Sequence, residues 1–324
     1  MSKHGSSRRG TSHALTRMVA ATFAVSLLVA VSACSSSKSS TSTTGTTAAP
    51  TTTVPNTPIP TATKDSSLAA MVPAKLTSAG KAVVATDASY APNEFFASDN
   101  TTIIGMDIDL GHAIGQVLGV PFDFQNASFD SIIPAMGTRY DVSMSSFTDT
   151  LARQQKVDMV TYFSAGTSFY VTKGQNSDLG SLDALCGKSV GVEKGTTEAT
   201  DATAQSAKCT KAGKSKVDVQ QFPDQNGANV ALASGRVAVV MADSPVAAYA
   251  VAQSADKFAL AGQPYGTAPY GIVVPKTSDY SGLSNAILGA LKALDSDGIY
   301  AKIMAKWGVQ SGAISNFQLN GATS

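Results

Sequence analysis

The sequence predicts an α/β fold of two lobes, each a mixed, mostly parallel sheet flanked by helices, with a cleft between them. Three observations carry that expectation. Short apolar, β-branched runs alternate with segments whose apolar residues recur at helical spacing. The alternation runs once from Lys81 to Ser145 and restarts at Ser189. The part able to fold, from Leu68 onward, is about 255 residues, enough for one large domain or two medium ones.

The chain opens outside that fold. Lys3, Arg8, Arg9 and Arg17 precede the uncharged apolar run Met18–Val31, and no Asp or Glu occurs before Cys34. A basic start, an apolar middle and small residues at the end describe a secretory leader over 1–33. The run is too short for a transmembrane helix of about 20 residues. Its ending, Val-Ser-Ala-Cys at 31–34, resembles a bacterial lipobox. That resemblance implies a diacylated Cys34 as mature N-terminus and a protein lipid-anchored at the outer face of the cytoplasmic membrane; an ordinary leader with an incidental cysteine is the alternative. Residues 34–66 are nearly all Ser, Thr, Ala and Pro, the composition of a flexible tether.

Lys81–Thr86 reads as a buried strand. Within Gly105–Leu118, Met106, Leu110, Ile114 and Val117 fall on one helical face, with Asp107 or Asp109 in the first turn. Val120–Phe124 reads as a second strand, Ser131–Met136 as a short helix and Val142–Ser145 as a third strand. The second unit repeats the pattern with strands at Ser189–Val192, Val217–Gln220 and Val237–Met241 and a helix over Gly227–Ser234. Leu283–Trp307 is strongly helical and must pack on a lobe already made. The expected division is 67–172 plus 274–324 for lobe 1 and 173–273 for lobe 2, with hinges near Tyr170–Gly174 and Tyr270–Lys276.

Removing the leader's four basic residues leaves 20 basic against 23 acidic ones. With no basic cluster, nucleic acid is not an expected partner. His112 is the one histidine beyond the leader, and Cys186 and Cys209 form no CxxC pair, so no metal site is expected. In an oxidising exterior the two cysteines are expected to pair, although two buried thiols would also satisfy the sequence. Neither GxxxxGK[ST] nor GxGxxG after a strand is present, and no cofactor is expected.

Six segments in order resemble the extracellular solute-binding proteins of ABC importers, in the polar amino acid group. They are ATDASYAPNEF (85–95), GMDIDL (105–110), FDSIIPAM (129–136), SSFTDTLARQQKVDMV (145–160), GKSVGVEKGTT (187–197) and SGRVAVVMADSPVAAY (234–249). Two departures are Met106 in an aromatic position and Ala152 where the family usually has Glu. The resemblance spans 82–308 and implies a two-lobed periplasmic-binding-protein-like fold of type II. It also implies a monomer that captures a small solute by lobe closure and delivers it to ABC permease subunits, without catalysis.

A zwitterionic amino acid buries a carboxylate and an ammonium, which call for a bidentate guanidinium and a carboxylate. By resemblance, Arg153 takes the α-carboxylate, helped by Thr148 and the backbone around Ser146, and by main-chain N–H groups of Thr196 and Thr197 from the opposite lobe. Asp243 takes the α-ammonium; the competing role is a cap for the helix at Ser244-Pro245. Tyr90 and Phe129 are placed to sandwich the side chain, unless they are core aromatics. Asp87 and Glu193 fall where the family reads that side chain, which favours a cationic or amide-bearing amino acid over Glu or Asp, unless they turn to solvent or pair with Lys194. A sensor for a separate signalling protein, or a dehydratase on the same fold with Glu193 as its acid, are the alternative functions.

Overall fold

A computed structural model describes residues 55, 57–175 and 179–322. The leader, Cys34 and most of the tether lie outside the described residues. Eleven strands follow in order: β1 (Ala82–Thr86), β2 (Ser89–Tyr90), β3 (Glu94–Phe96), β4 (Ile103–Ile104), β5 (Phe122–Asn126), β6 (Val142–Ser143), β7 (Val157–Thr172), β8 (Ser189–Glu193), β9 (Asp218–Phe222), β10 (Val239–Asp243) and β11 (Phe258–Pro275). The helices are α1 (Ser66–Ala69), α2 (Ala74–Ala79), α3 (Met106–Leu118), α4 (Phe129–Ala135), α5 (Leu151–Gln154), α6 (Thr197–Lys211), α7 (Gln225–Ala233), α8 (Ser244–Gln253), α9 (Leu283–Ser296) and α10 (Ile299–Trp307).

Eight strands form one sheet in the order β5-β1-β6-β11-β7-β10-β8-β9. It contains two parallel trios of identical logic. In each, the chain builds the central strand first (β1, β8), then the outer (β5, β9), then the inner (β6, β10). The long antiparallel pair β7 and β11 joins the trios. Parallel strands gather ligand-binding loops beyond their carboxyl ends. Asp87 lies just past β1, Ser145 past β6 and Phe129 past β5, while Glu193 and Asp243 end β8 and β10.

The apolar core changes along the two joining strands. On β7, Tyr162, Phe163 and Ala165 pack with α3, α9 and α10, whereas Phe169 and Val171 pack with α6. On β11, Ala261 and Tyr265 belong to the second cluster and Tyr270 and Ile272 to the first. The change thus falls at 165–169 and 265–270, a few residues before the expected hinges. There β11 shifts register between Ala261 and Tyr265, between Tyr265 and Ala268, and again between Tyr270 and Gly271. A Cβ on Gly166 would lie 2.8 Å from the Tyr265 carbonyl oxygen, so only glycine lets the strands approach here.

Several expectations need correction. The tether does not stay unstructured to Ser66. Ile59 and Ala62 pack on the core, the Ala62 N–H donates to Gln116 Oε1 at 2.7 Å, and Asp65 caps α1. The terminal helix is two helices, because α9 ends at Ser296 with Asp297 as its C-cap and Gly298 takes the left-handed φ of 67°. The three-stranded β2-β3-β4 sheet was not foreseen, since two-residue strands leave no periodicity to read. Cys186 and Cys209 are joined in a disulfide between the turn before β8 and helix α6, with Cα atoms 5.6 Å apart. Among the described residues no helix is long and apolar enough to cross a membrane.

Candidate functional site

All ten residues singled out from the sequence (Asp87, Tyr90, Phe129, Ser146, Thr148, Arg153, Glu193, Thr196, Thr197 and Asp243) line one cavity. Glu94, Ser145 and Glu198 line it too. The walls come from both parallel trios. Short contacts close them on each other: Thr148 Oγ1 lies 3.3 Å from Thr197 Oγ1, and Lys194 pairs with Asp130 at 2.7 Å. A Cβ on Gly195 would fall 2.9 Å from Asp130 Cβ, so this turn approaches α4 because it lacks a side chain.

Arg153 anchors one end. Thr150 caps α5 by accepting from the Arg153 N–H at 3.2 Å, which sets the guanidinium's starting point. Nη1 donates to the Thr148 carbonyl at 2.8 Å and Nη2 to the Gly195 carbonyl at 3.2 Å. The guanidinium lies 5.5 and 5.1 Å from the ring centroids of Phe129 and Phe147, which stack at 4.2 Å. Burial lowers the Arg153 pKa, while Glu198, Asp243 and Asp149 oppose that shift. Arginine remains charged at neutral pH nonetheless.

Asp243 is buried with Tyr90. The Tyr90 hydroxyl donates to Asp243 Oδ2 at 3.0 Å and accepts from the Asp243 N–H at 3.0 Å. The Asp243 side chain makes no capping hydrogen bond to α8, so the capping alternative is not realised. Burial holds its carboxyl well above the usual range, and the Glu198 charge adds to the effect. Glu198, two residues past the Thr196 cap, accepts from Thr167 Oγ1 at 2.6 Å and from Thr197 Oγ1 at 3.1 Å.

The opposite end is crowded with acids. Asp87 Oδ2 accepts from the Phe129 N–H at 2.9 Å, and the Asp87 N–H donates to Ser145 Oγ at 2.8 Å. Burial raises its carboxyl, helped by Asp224. Glu193 is 2% exposed, and its Oε1 accepts no hydrogen bond from a described residue. Burial holds it well above the usual range, with Asp87, Asp224 and Glu198 adding like charge. Lys194 goes to Asp130, so neither acid pairs with it.

Thr196 caps α6, accepting from the Ala199 N–H at 3.1 Å. Ser146 differs from expectation: its N–H donates to Asp107 Oδ2 at 3.1 Å and is spent there, while its hydroxyl donates to Glu94 Oε2 at 3.2 Å. Glu94 and Glu198 were missed because each looks ordinary in sequence, one in a loop and one as a first-turn acid favoured by the helix dipole. Their one signal was place: Glu94 lies within the quoted segment 85–95, and Glu198 directly follows 187–197. Among the described residues no group of His, Cys, Asp and Glu fits a metal ion.

Residues 82–310 match the sequence profile of the bacterial extracellular solute-binding proteins, family 3. The arginine-binding protein ArgT of Corynebacterium glutamicum is 32% identical over 254 residues, covering 78% of this chain and 82% of the relative. An ancestral arginine-binding protein bound to arginine is 36% identical with a TM-score of 0.65, covering 70% of this chain and 98% of that one. The same kind of ancestral protein bound to glutamine is 36% identical with a TM-score of 0.63, at 71% and 98% coverage.

Proposed function

Because the chain belongs to the bacterial extracellular solute-binding proteins of family 3, we propose that it captures an L-arginine-like cationic amino acid and delivers it to an ABC permease. One observation carries the choice of solute. The cavity holds five buried carboxyl groups (Asp87, Glu94, Glu193, Glu198 and Asp243) against one guanidinium. Among the described residues no salt bridge involves any of the five. Uncompensated acids in a closed space are costly, and a solute bringing two positive groups relieves that cost.

In this reading Arg153 grips the α-carboxylate, with donors from Thr148 and the Thr197 main chain. Asp243 and Glu198 meet the α-ammonium, and Asp87 and Glu193 meet the side-chain cation. Phe129 and Tyr90 wall the aliphatic stem. Each end of the solute then touches both lobes, so binding favours closure about the crossings at 165–169 and 265–270. The lobes are 67 to about 167 plus the chain from about 268, and the segment between. Cys34 carries the lipid, and the protein works as a monomer without catalysis. The name of ArgT and the arginine-bound ancestral structure support arginine as the solute.

Calorimetric titration of the mature protein, stripped of co-purified solute, with L-arginine, L-lysine, L-ornithine, L-glutamine and L-glutamate tests this. Tightest binding of a cationic member is expected. Preference for glutamate, or silence across the panel, would reject the proposal.

A further inference from the structure

Glu94 begins β3 and Asp107 is the second residue of α3; both are wholly buried. They grip the same residue from two sides. Ser146 Oγ donates to Glu94 Oε2 at 3.2 Å, the Ser146 N–H donates to Asp107 Oδ2 at 3.1 Å, and Asn93 Nδ2 donates to Ser146 Oγ at 2.9 Å. Ser146 has a left-handed φ of 52°, a conformation that persists in a non-glycine residue when its surroundings over-determine it. Tyr162 donates to Asp107 Oδ2 at 2.7 Å. Asp107 Oδ1 is buried and accepts from no described donor, and the Glu94 and Asp107 carboxyls lie within hydrogen-bonding reach of each other. Two acceptors cannot bond to each other unless one carries a proton.

We propose that Glu94 and Asp107 hold a single proton between them and act as a positioning pair behind the cavity. They set the Ser145–Ser146 turn from which the first lobe presents its donors. The other titratable groups facing Glu94 and Asp107 are Asp87, beyond β1, and Tyr162 on β7. Among the described residues neither carboxyl forms a salt bridge with Lys or Arg. Burial and the neighbouring Asp107 charge hold the Glu94 carboxyl well above its usual range. The pair therefore carries one negative charge near neutrality. Its influence reaches the site through Ser145, whose hydroxyl accepts from the Asp87 N–H and lies 3.5 Å from Glu94 Oε1. Thr148 follows two residues after Ser146. A raised folded pKa favours the folded state at low pH, and that contribution is lost as pH rises through the folded value. Loss of the shared proton leaves two repelling charges under the turn and releases it.

The test compares the mature wild-type protein with Glu94→Gln, Asp107→Asn and Asp107→Ala. One arm measures the thermal midpoint without solute from pH 6 to 9 and the infrared band of a buried protonated carboxyl at pH 7. The other measures the L-arginine Kd at pH 7.0 and 8.5. The affinity arm rests on the proposed solute; the first arm does not. The wild type is expected to show the band and a midpoint falling more steeply above pH 7 than in either amide variant. Glu94→Gln removes the part of the band that Glu94 contributes, while the raised Glu193 and Asp243 carboxyls keep theirs; a band unchanged from wild type would overturn the pairing. Asp107→Asn carries the same single charge as the protonated pair, so its Kd should stay within about threefold of wild type at pH 7.0 and hold at pH 8.5. Asp107→Ala should weaken binding about tenfold or more at both pH values, by stranding the Ser146 N–H. Parallel midpoint profiles, no band in the wild type, or an Asp107→Asn as weak as Asp107→Ala would overturn the pairing. A wild type that ignores L-arginine would sink the proposed solute and leave the first arm to decide on the pair.

Discussion

The two ends of the cavity solve the burial of charge differently. At the Arg153 end, opposite charges lie together and neutral donors fill in: the guanidinium is held by two carbonyls and two aromatic faces, with Glu198 and Asp243 opposite. At the Asp87–Glu193 end, acids meet acids, with Asp224 behind them and an orphaned Glu193 oxygen. The first end is nearly self-consistent without solute; the second becomes so when a cation arrives. On the proposed function, the contrast separates what would grip any amino acid from what would select among them.

Removing the gripping end should produce the largest effect. Arg153→Ala takes away the guanidinium proposed to grip the α-carboxylate, and truncating one partner of a hydrogen-bonded charge pair buried on binding costs about 2–5 kcal/mol. L-arginine affinity, measured calorimetrically, should fall by at least about 100-fold while circular dichroism stays that of the wild type. Unchanged binding would remove the guanidinium from the account.

Glu193→Gln acts on the selecting end. L-arginine should bind about 10–100-fold more weakly, from loss of a hydrogen bond to a charged group. Without solute the sign reverses. The Glu193 carboxyl is held well above its unfolded value, so its contribution to stability is complete below about pH 4 and lost as pH rises through the folded value. Glu193→Gln should therefore raise the solute-free thermal midpoint at pH 8 and change it little at pH 4. A lowered midpoint at pH 8 would show that the acid end is not strained.

The same raised carboxyls predict proton release. A cation lowers their pKa, so binding at pH 7 should expel about one proton, read from the dependence of calorimetric heat on buffer ionisation enthalpy. Zero release would mean that the acids are already ionised. The smallest effect belongs to Thr148→Val, which removes a hydroxyl 3.3 Å from Thr197 Oγ1. About 1 kcal/mol is expected, a several-fold loss of affinity.

How much of this was legible in the sequence depended on the kind of signal. The parallel trios were readable because buried β-branched runs such as Ala82–Thr86 and Val239–Asp243 alternate with helices. The cavity's membership was readable through motifs that keep Thr148, Arg153 and Asp243 at fixed places in chain order. The core changes a few residues before the expected hinges, at 165–169 on β7 and 265–270 on β11, where small and polar residues at 164–168 and 262–267 interrupt the apolar runs. Glu94 and Asp107 lie 13 positions apart and meet because the start of α3 bonds back to the β3 entry, the Asp107 N–H donating to the Asn93 carbonyl at 2.9 Å, and because both grip Ser146. Such pairing belongs to tertiary packing and leaves no trace in spacing. The commitment of the Ser146 N–H to Asp107 was hidden for the same reason.

The most direct test compares L-arginine with L-citrulline, which replaces the guanidinium by a neutral group of nearly the same shape. Calorimetry on the mature wild-type protein at pH 7.5 should show citrulline binding at least about 100-fold more weakly, because it leaves the acids of the selecting end unpaired. Equal affinities would contradict the account, and would mean that the buried carboxyls beside Glu193 do not choose the solute.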